Sequence, residues 1–392
     1  MKAMCIDENK NFVWKNVDDP VCHGEFDVKL KVQACALNRA DLMQRAGIYA
    51  PPVGWPSWPG LECAGEVLEA PAGGRFKPGD KVCALLGGGG YAEQVVVPAG
   101  MCMPIPKGFA PWEAAGIPEV YATAYLNIRM VGELKEGETF FINGGEGGLG
   151  VACIQLAKHV FGAKVVAQVA SDANGEFCKG VGADVVSNRF KDDLVATLKA
   201  NPPDVAIDPV GGPLMGKCLA TMNMLGRWIS LASMAGPETT IDVNLLWRKN
   251  LRLIGSTLRR RSPEEKARIL AGLVRDVWPA FEARKFAPFV HRCCRSRKRL
   301  RLMRSWSAAR TAARWCWNWM VDGKPRLPRV RERKRWGEAS RRAVRRTNQF
   351  ERNREMAGKL IDERGADAHA FAVASMSGVC YYLADETERL LP

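Results

Sequence analysis

Residues 140–160 read FFINGGEGGLGVACIQLAKHV, and within them Gly144, Gly147 and Gly150 stand at G-x-x-G-x-x-G spacing. Glycines at these intervals permit a tight turn that an anionic ligand can approach without meeting a Cβ. An apolar strand precedes the turn and an apolar helix follows it. The N–H groups opening that helix, at Gly148, Leu149 and Gly150, are the donors such a ligand would use. A second apolar run, AKVVAQV, begins soon after. Strand, glycine turn, helix and second strand together predict a dinucleotide site rather than an empty loop.

A site of this kind that prefers NAD ends its second strand in an acid that grips the ribose hydroxyls. Val169 stands at about that place, with Ser171 just beyond it and Arg189 in the next loop, where a guanidinium suits a 2′-phosphate. NADPH is therefore the expected cofactor. NADH is the alternative, which Asp172 favours, and Arg189 has the ordinary alternative of a solvated surface charge.

The elements that must position these residues are of two kinds. Up to about residue 110, short β-branched runs cut by Gly and Pro (FDVKLKV, CAGEVLEA, DKVCALL, YAEQVVVP) predict a partly closed antiparallel β domain. From about residue 112, apolar strands alternate with helices (TFFING, VACIQLAKHVFG, AKVVAQVAS, DVAIDPVGG, GRWISLAS, LRLIGSTL), which predicts a doubly wound parallel sheet. The fold class is α/β. A helix opens at SPEEKARIL, with Ser262 as N-cap, Pro263 in the first turn and Glu265 closing a capping box. Its apolar stripe (Ile269, Leu270, Leu273, Val274, Val277, Trp278) marks it as a packing helix.

The 392 residues suffice for two ordinary domains. The net charge of +15 is unevenly spread: residues 1–292 hold 33 Lys and Arg against 31 Asp and Glu, and the last hundred residues hold 24 against 11. An anionic partner is thus no inference for the first 292 residues. Thirteen cysteines without a CxxC pair, and a charged opening unlike a signal peptide, lead us to expect reduced thiols in the cytoplasm. No apolar run approaches the length of a membrane span, and the four histidines form neither a triad nor a metal cluster in the sequence.

The stretches ALNRADLMQRAGIY (36–49), PGLECAGEV (59–67), MPIPKG (103–108), AAGIPEVYATAY (114–125), the glycine turn and DPVGG (208–212) follow one another in a known order. Over residues 1 to about 292 the chain resembles the zinc-independent quinone oxidoreductase branch of the medium-chain dehydrogenase/reductase superfamily. The resemblance implies a GroES-like catalytic domain over 1–120, an NADP-binding Rossmann domain over 121–258 and a return segment of the catalytic domain over 259–292. It further implies hydride transfer from NADPH to a quinone or conjugated carbonyl, with enone or enoyl reduction as the alternative. Homodimerisation near LRLIGSTL is a further family expectation. Zinc-dependent relatives hold their metal with a Cys and a His where this chain has Asn38 and Leu61, so no zinc is expected. By resemblance, Tyr49 and Asn38 line the substrate side of the cleft as the catalytic candidates, and Thr123 contacts the nicotinamide. Trp55 and Trp58 are either an apolar lid or aromatics folded inward.

The resemblance ends near Arg292, where relatives continue with an acidic helix and a GKVVLEL strand. This chain continues HRCCRSRKRLRLMRSWSAARTAARWCWNW (291–319), on its face a nucleic-acid arm. The codons of WCWNWMV (315–321), read one base earlier, give Val-Leu-Glu-Leu-Asp-Gly without freedom. The whole segment permits VLPIEEAAEAHALMERGPHGGKVVLELDG. Residues 293–392 are therefore expected to be a frameshifted tail, disordered or poorly packed, leaving the catalytic domain without its last helix and edge strand, and nucleic acid is not the expected partner.

Overall fold

In a computed structural model, residues 1–295 and the strand 314–318 are described. The N-terminal part builds an antiparallel layer. Strands β1 (Lys2–Ile6) and β2 (Phe12–Asn16) pair with each other, and β3 (Asp27–Ala36) is the long strand on which the larger sheet grows. Along most of β3 the burial alternates, with Val28, Leu30, Val32 and Ala34 inward, as the period of a half-buried strand requires. Helix α1 (Arg39–Ala46) then turns over the sheet and ends at Gly47, whose φ of +85° gives the left-handed cap that a Cβ disfavours. Strands β4 (Glu62–Glu69), β5 (Lys81–Leu85), β6 (Gln94–Pro98) and β7 (Cys102–Pro104) complete this part.

Helices α2 (Pro111–Ala114) and α3 (Pro118–Tyr125) lead to the second layer, and α3 continues into a π-helical segment over 126–131. There follow β8 (Thr139–Asn143), α4 (Gly148–His159), β9 (Lys164–Val169), α5 (Asp172–Gly180), β10 (Val185–Asn188), α6 (Leu194–Ala200), β11 (Val205–Asp208), α7 (Pro213–Leu219), β12 (Arg227–Ser230), α8 (Val243–Arg248) and β13 (Arg252–Gly255). The strands form a six-stranded parallel sheet in the order β10-β9-β8-β11-β12-β13. Phe140, Phe141 and Ile142 of β8 are fully buried, as expected of a strand covered by helices on both faces. The strand order reverses between β8 and β11, which opens a crevice at their carboxyl ends. Asn143 and Asp208 close the floor there, Asn143 Nδ2 donating to Asp208 Oδ1 at 3.0 Å.

Helix α9 (Pro263–Glu282) begins with the expected capping box: Ser262 Oγ accepts from Glu265 N–H, and Glu265 accepts from Ser262 N–H, both at 3.2 Å. It packs on α3 and β7, and Trp278 Nε1 donates to Pro104 O at 3.0 Å. Strand β14 (Val290–Arg295) runs parallel to β15 (Arg314–Asn318), and β15 pairs antiparallel with β3. The sheet thus has seven strands, antiparallel except for the β14–β15 pair, with β6 also paired to β3, and contrary to expectation residues 314–318 of the tail supply an inner strand because their backbone pairs with β3.

Candidate active site

The glycine turn has the geometry that its spacing predicts. Gly144, just past the end of β8, has φ +83°, and Gly145 N–H reaches across to Gln168 O of β9 at 2.8 Å. At Gly150 a Cβ would lie 2.3 Å from Gly144 O, so the start of α4 is pressed against the turn as only glycine allows. Gly147 caps α4 with extended backbone, and the first N–H of this helix bonded within the turn is that of Val151, to Gly147 O at 2.8 Å. The N–H groups of Gly148, Leu149 and Gly150 therefore remain for an anion at the positive end of the helix. The turn and helix fit a dinucleotide pyrophosphate.

Arg189 follows β10 and is tied by its N–H to Val169 O at 2.9 Å, so it stands beside the end of β9. Its exposed guanidinium lies 4.7 Å from the centroid of Phe190. Ser171 serves as the N-cap of α5, its Oγ accepting from Asn174 N–H at 3.1 Å. Asp172 is neutralised locally: it forms an ion pair with Lys191 and accepts from Asn188 Nδ2, which holds its carboxyl below the usual range. The glycine turn also carries a group that spacing alone did not single out. Glu146 Oε1 accepts from Ala170 N–H at 3.0 Å, while its Oε2 is buried with no hydrogen-bond partner.

A cluster of ionisable and polar groups lies around α1 and the start of α3. Asn38 is the N-cap of α1; its N–H donates to Asp41 Oδ2 at 2.6 Å and its Nδ2 to Glu62 Oε1 at 2.8 Å. Glu62 Oε2 accepts the N–H of Glu119 in the first turn of α3 at 2.9 Å. Asp41 is wholly buried and accepts from Tyr91 Oη at 2.6 Å and Gly60 N–H at 3.2 Å. Burial nevertheless raises its pKa to about 6.

Tyr49 is half-buried, and the guanidinium of Arg259 stacks over its ring at 4.5 Å from the centroid. Arg259 also donates to Gln44 Oε1 at 2.8 Å, to Tyr49 O at 3.2 Å and to Gly87 O. Burial pushes the Tyr49 phenol up, and Glu119 pushes it further. Thr123 lies one turn after Glu119 on α3, its Oγ1 donating to Glu119 O at 2.8 Å. The two tryptophans fold inward: Trp55 lies where a Cβ on Gly87 would fall, 2.7 Å from it, and Trp58 Nε1 donates to Gly89 O at 3.0 Å.

Asn38 and Tyr49 thus come together around Arg259, Glu62 and Asp41. Sequence reasoning missed these three residues and Glu119. Arg259 begins a run of three arginines, and nothing in the spelling marks which of them is buried. Glu62 and Glu119 lie inside quoted motifs, where only their neighbours were picked out.

The description "Zinc-binding dehydrogenase" belongs to a family model that matches residues 148–273, and "Alcohol dehydrogenase GroES-like domain" to another that matches residues 24–107. A rat protein named quinone oxidoreductase-like protein 2 is 31% identical over 237 residues, 59% of this chain and 68% of its own. The chain belongs to the quinone oxidoreductase-like branch of the medium-chain dehydrogenase/reductase superfamily. As a member it is an NAD(P)-dependent oxidoreductase. A Nematostella vectensis homologue of the same name is 29% identical over 261 residues, 64% of this chain and 71% of its own. Among solved structures, the Thermus thermophilus quinone oxidoreductase, described with its NADPH complex, superposes with a TM-score of 0.68. It is 24% identical, covering 81% of this chain and all of its own, and so speaks for the fold alone. Zinc, which the first description names, does not fit the residues present. Leu61 is buried and apolar, the Asn38 amide is committed to Glu62, and among the described residues no group of three His, Cys, Asp or Glu is placed to hold a metal ion.

Proposed function

We propose that this member of the branch is a zinc-independent reductase that takes NADPH and passes hydride to a quinone or similar conjugated carbonyl, enone or enoyl reduction being the alternative. The observation that carries this reading is helix α3. It packs against α4, the helix of the glycine turn, and its first turn is fastened to Glu62, the partner of Asn38. Substrate-side and cofactor-side groups thereby share one rigid element. The bound nicotinamide supplies the hydride. The N–H groups of Gly148, Leu149 and Gly150 hold the pyrophosphate, and Thr123 meets the nicotinamide. The Tyr49 hydroxyl donates to the acceptor oxygen where negative charge develops, and Asn38 is held in place beside it. Arg189 receives the 2′-phosphate, beside an Asp172 already paired with Lys191.

NADPH at millimolar concentration should raise the melting temperature, and NADPH oxidation should then follow addition of a quinone. No shift with either NADPH or NADH sinks the reading, and turnover with enones but not quinones selects the alternative. The free thiols of the described core suit a reducing cytoplasm. A homodimer through β13 is part of the same reading: β13 pairs only with β12 among the described residues, and Leu253 on it is 41% exposed. Sedimentation of a monomer at micromolar concentration would remove the dimer.

The basic tail lies outside the described residues except for β14 and β15, and we read the chain past Arg292 as out of frame. Support comes from the place of β15. It covers Arg314–Asn318, whose codons one base earlier spell most of the GKVVLEL strand. Sequencing the DNA around the Arg292 codon decides it.

A further inference from the structure

The cleft holds an acid that the proposed reduction, as described so far, does not use. Glu119 projects from the first turn of α3, four residues before Thr123 and on the same helix face. It is partly accessible at the surface, and among the described residues its carboxyl oxygens accept no hydrogen bond, although its N–H is held by Glu62. The charges around it come from every side. Asp41 lies on α1, Glu62 on β4, Arg259 in the loop after β13, and Lys266 on α9, while Tyr49 stands beside Arg259. Lys266 is buried and donates to Arg259 O at 2.9 Å, so the two cations are fixed to one another.

Asp41 and Glu119 thus both face Arg259, with Lys266 a second cation at Glu119, and the neighbouring carboxyls already hold their donors. Glu62 already receives Asn38 Nδ2 and the Glu119 N–H, and Asp41 receives three donors. Among the described residues Glu119 is the member of the three whose carboxyl accepts no hydrogen bond, so no donor there holds it in the charged form as three hold Asp41.

We propose that Glu119 is the proton-holding group of the cleft, giving the acceptor oxygen its proton as hydride arrives. This rests on the reductase reading above. Hydride carries its electron pair from the reduced nicotinamide to the acceptor, and the acceptor oxygen becomes an anion. The O–H bond of Glu119 breaks and an O–H bond forms on that oxygen. The carboxylate left behind faces Arg259 and Lys266 and regains a proton from water. A quinone that takes up one hydride and this one proton leaves as the hydroquinone.

Burial, with Asp41 adding to it, raises the Glu119 pKa to about 7 against the pull of Arg259 and Lys266. The acid form is therefore populated at neutral pH, where a general acid is most effective.

The test compares wild type, Glu119→Gln and Glu119→Asp in the full chain. Infrared difference titration of the cofactor-free wild type should show a carboxyl titrating near pH 7 that is missing in Glu119→Gln. In the wild type, kcat/KM for quinone should fall as pH rises through that value. Glu119→Gln should lose about 100-fold at pH 6 and the falling limb with it, while its NADPH dissociation constant stays unchanged. Glu119→Asp should recover part of the rate and the limb. A Glu119→Gln variant with the wild-type pH profile, or a wild type with no carboxyl titrating between pH 6 and 8, overturns the proposal. Failure of the reductase reading looks different: the wild type itself then shows no NADPH binding, and the proton-donor role falls with it.

Discussion

Glu146 places a carboxylate inside a turn that otherwise offers N–H groups to an anion, and it resolves the conflict by turning to Ala170 N–H at the ribose end. Its Oε2 is buried and has no hydrogen-bond partner, so in the proposed NADPH site a carboxylate here would repel a 2′-phosphate that Arg189 attracts. Glu146→Gln keeps the shape and removes the charge, so the NADPH-to-NADH affinity ratio should rise about tenfold, or ~1.4 kcal/mol. Arg189→Ala should lower the same ratio. Fluorescence titration of both cofactors reads it, and an unchanged ratio in both variants removes the electrostatic account. Asp41 gives a second prediction, in pH. Its folded pKa of about 6 lies above the ordinary 3.8, so its contribution to stability is full below about pH 3.8 and is lost as pH rises through 6. The Tyr91 hydroxyl favours the charged form, and Tyr91→Phe removes it. The variant should lose about 1.5–3 kcal/mol at pH 8, where Asp41 is ionised, and less at pH 5. Urea melts at the two pH values decide it; equal losses would mean that Asp41 does not ionise in this range. Neither carboxylate was legible from spacing, because burial created by other elements is what gives each its character.

At the scale of elements, the sequence was legible wherever a local rule had no competitor. Ser262, Pro263 and Glu265 announced the start of α9, and the glycine spacing announced the β8-turn-α4 unit, since both depend on backbone geometry within a few residues. Helix α3 was not legible as the bridge between the two halves of the site. Its eight residues carry weak periodicity, and its importance comes from packing on α4 and α9 and from Glu62, far away in the chain. The inward fold of Trp55 and Trp58 was equally undecided by sequence, since it depends on the bare backbone of Gly87 and Gly89. The turn unit yields a test. In Gly150→Ala the new Cβ would meet Gly144 O at 2.3 Å and Gly145 O at 2.5 Å, both backbone atoms that no rotamer change can move. The turn must open, at a cost of about 1–3 kcal/mol, and the pyrophosphate donors shift with it. The melting temperature should fall and the further rise on adding NADPH should nearly vanish. A variant that melts lower but keeps the full NADPH shift would place the cofactor elsewhere.

For the whole molecule, the decisive strand is β15, which lies between β14 and β3 and so ties the end of the described chain to the long strand of the first layer. An inner strand is covered by neighbours on both edges and favours β-branched and apolar residues that fit a pleated, buried surface. The chain offers Arg-Trp-Cys-Trp-Asn at 314–318, whereas the earlier frame offers Val-Leu-Glu-Leu across the same codons. Restoring one nucleotide after the Arg292 codon should therefore give a shorter, less basic chain with the same sheet order and a better inner strand. A gain of ~2 kcal/mol would raise the melting temperature by about 4–8 °C for a domain of this size. Calorimetry on the two chains, each with and without NADPH, separates the possibilities. Higher stability of the restored chain with an equal NADPH shift supports a tail that is foreign to the fold and indifferent to the cofactor site. Equal or lower stability would mean that the arginine- and tryptophan-rich sequence is the native partner of β3, and the frame argument would be lost.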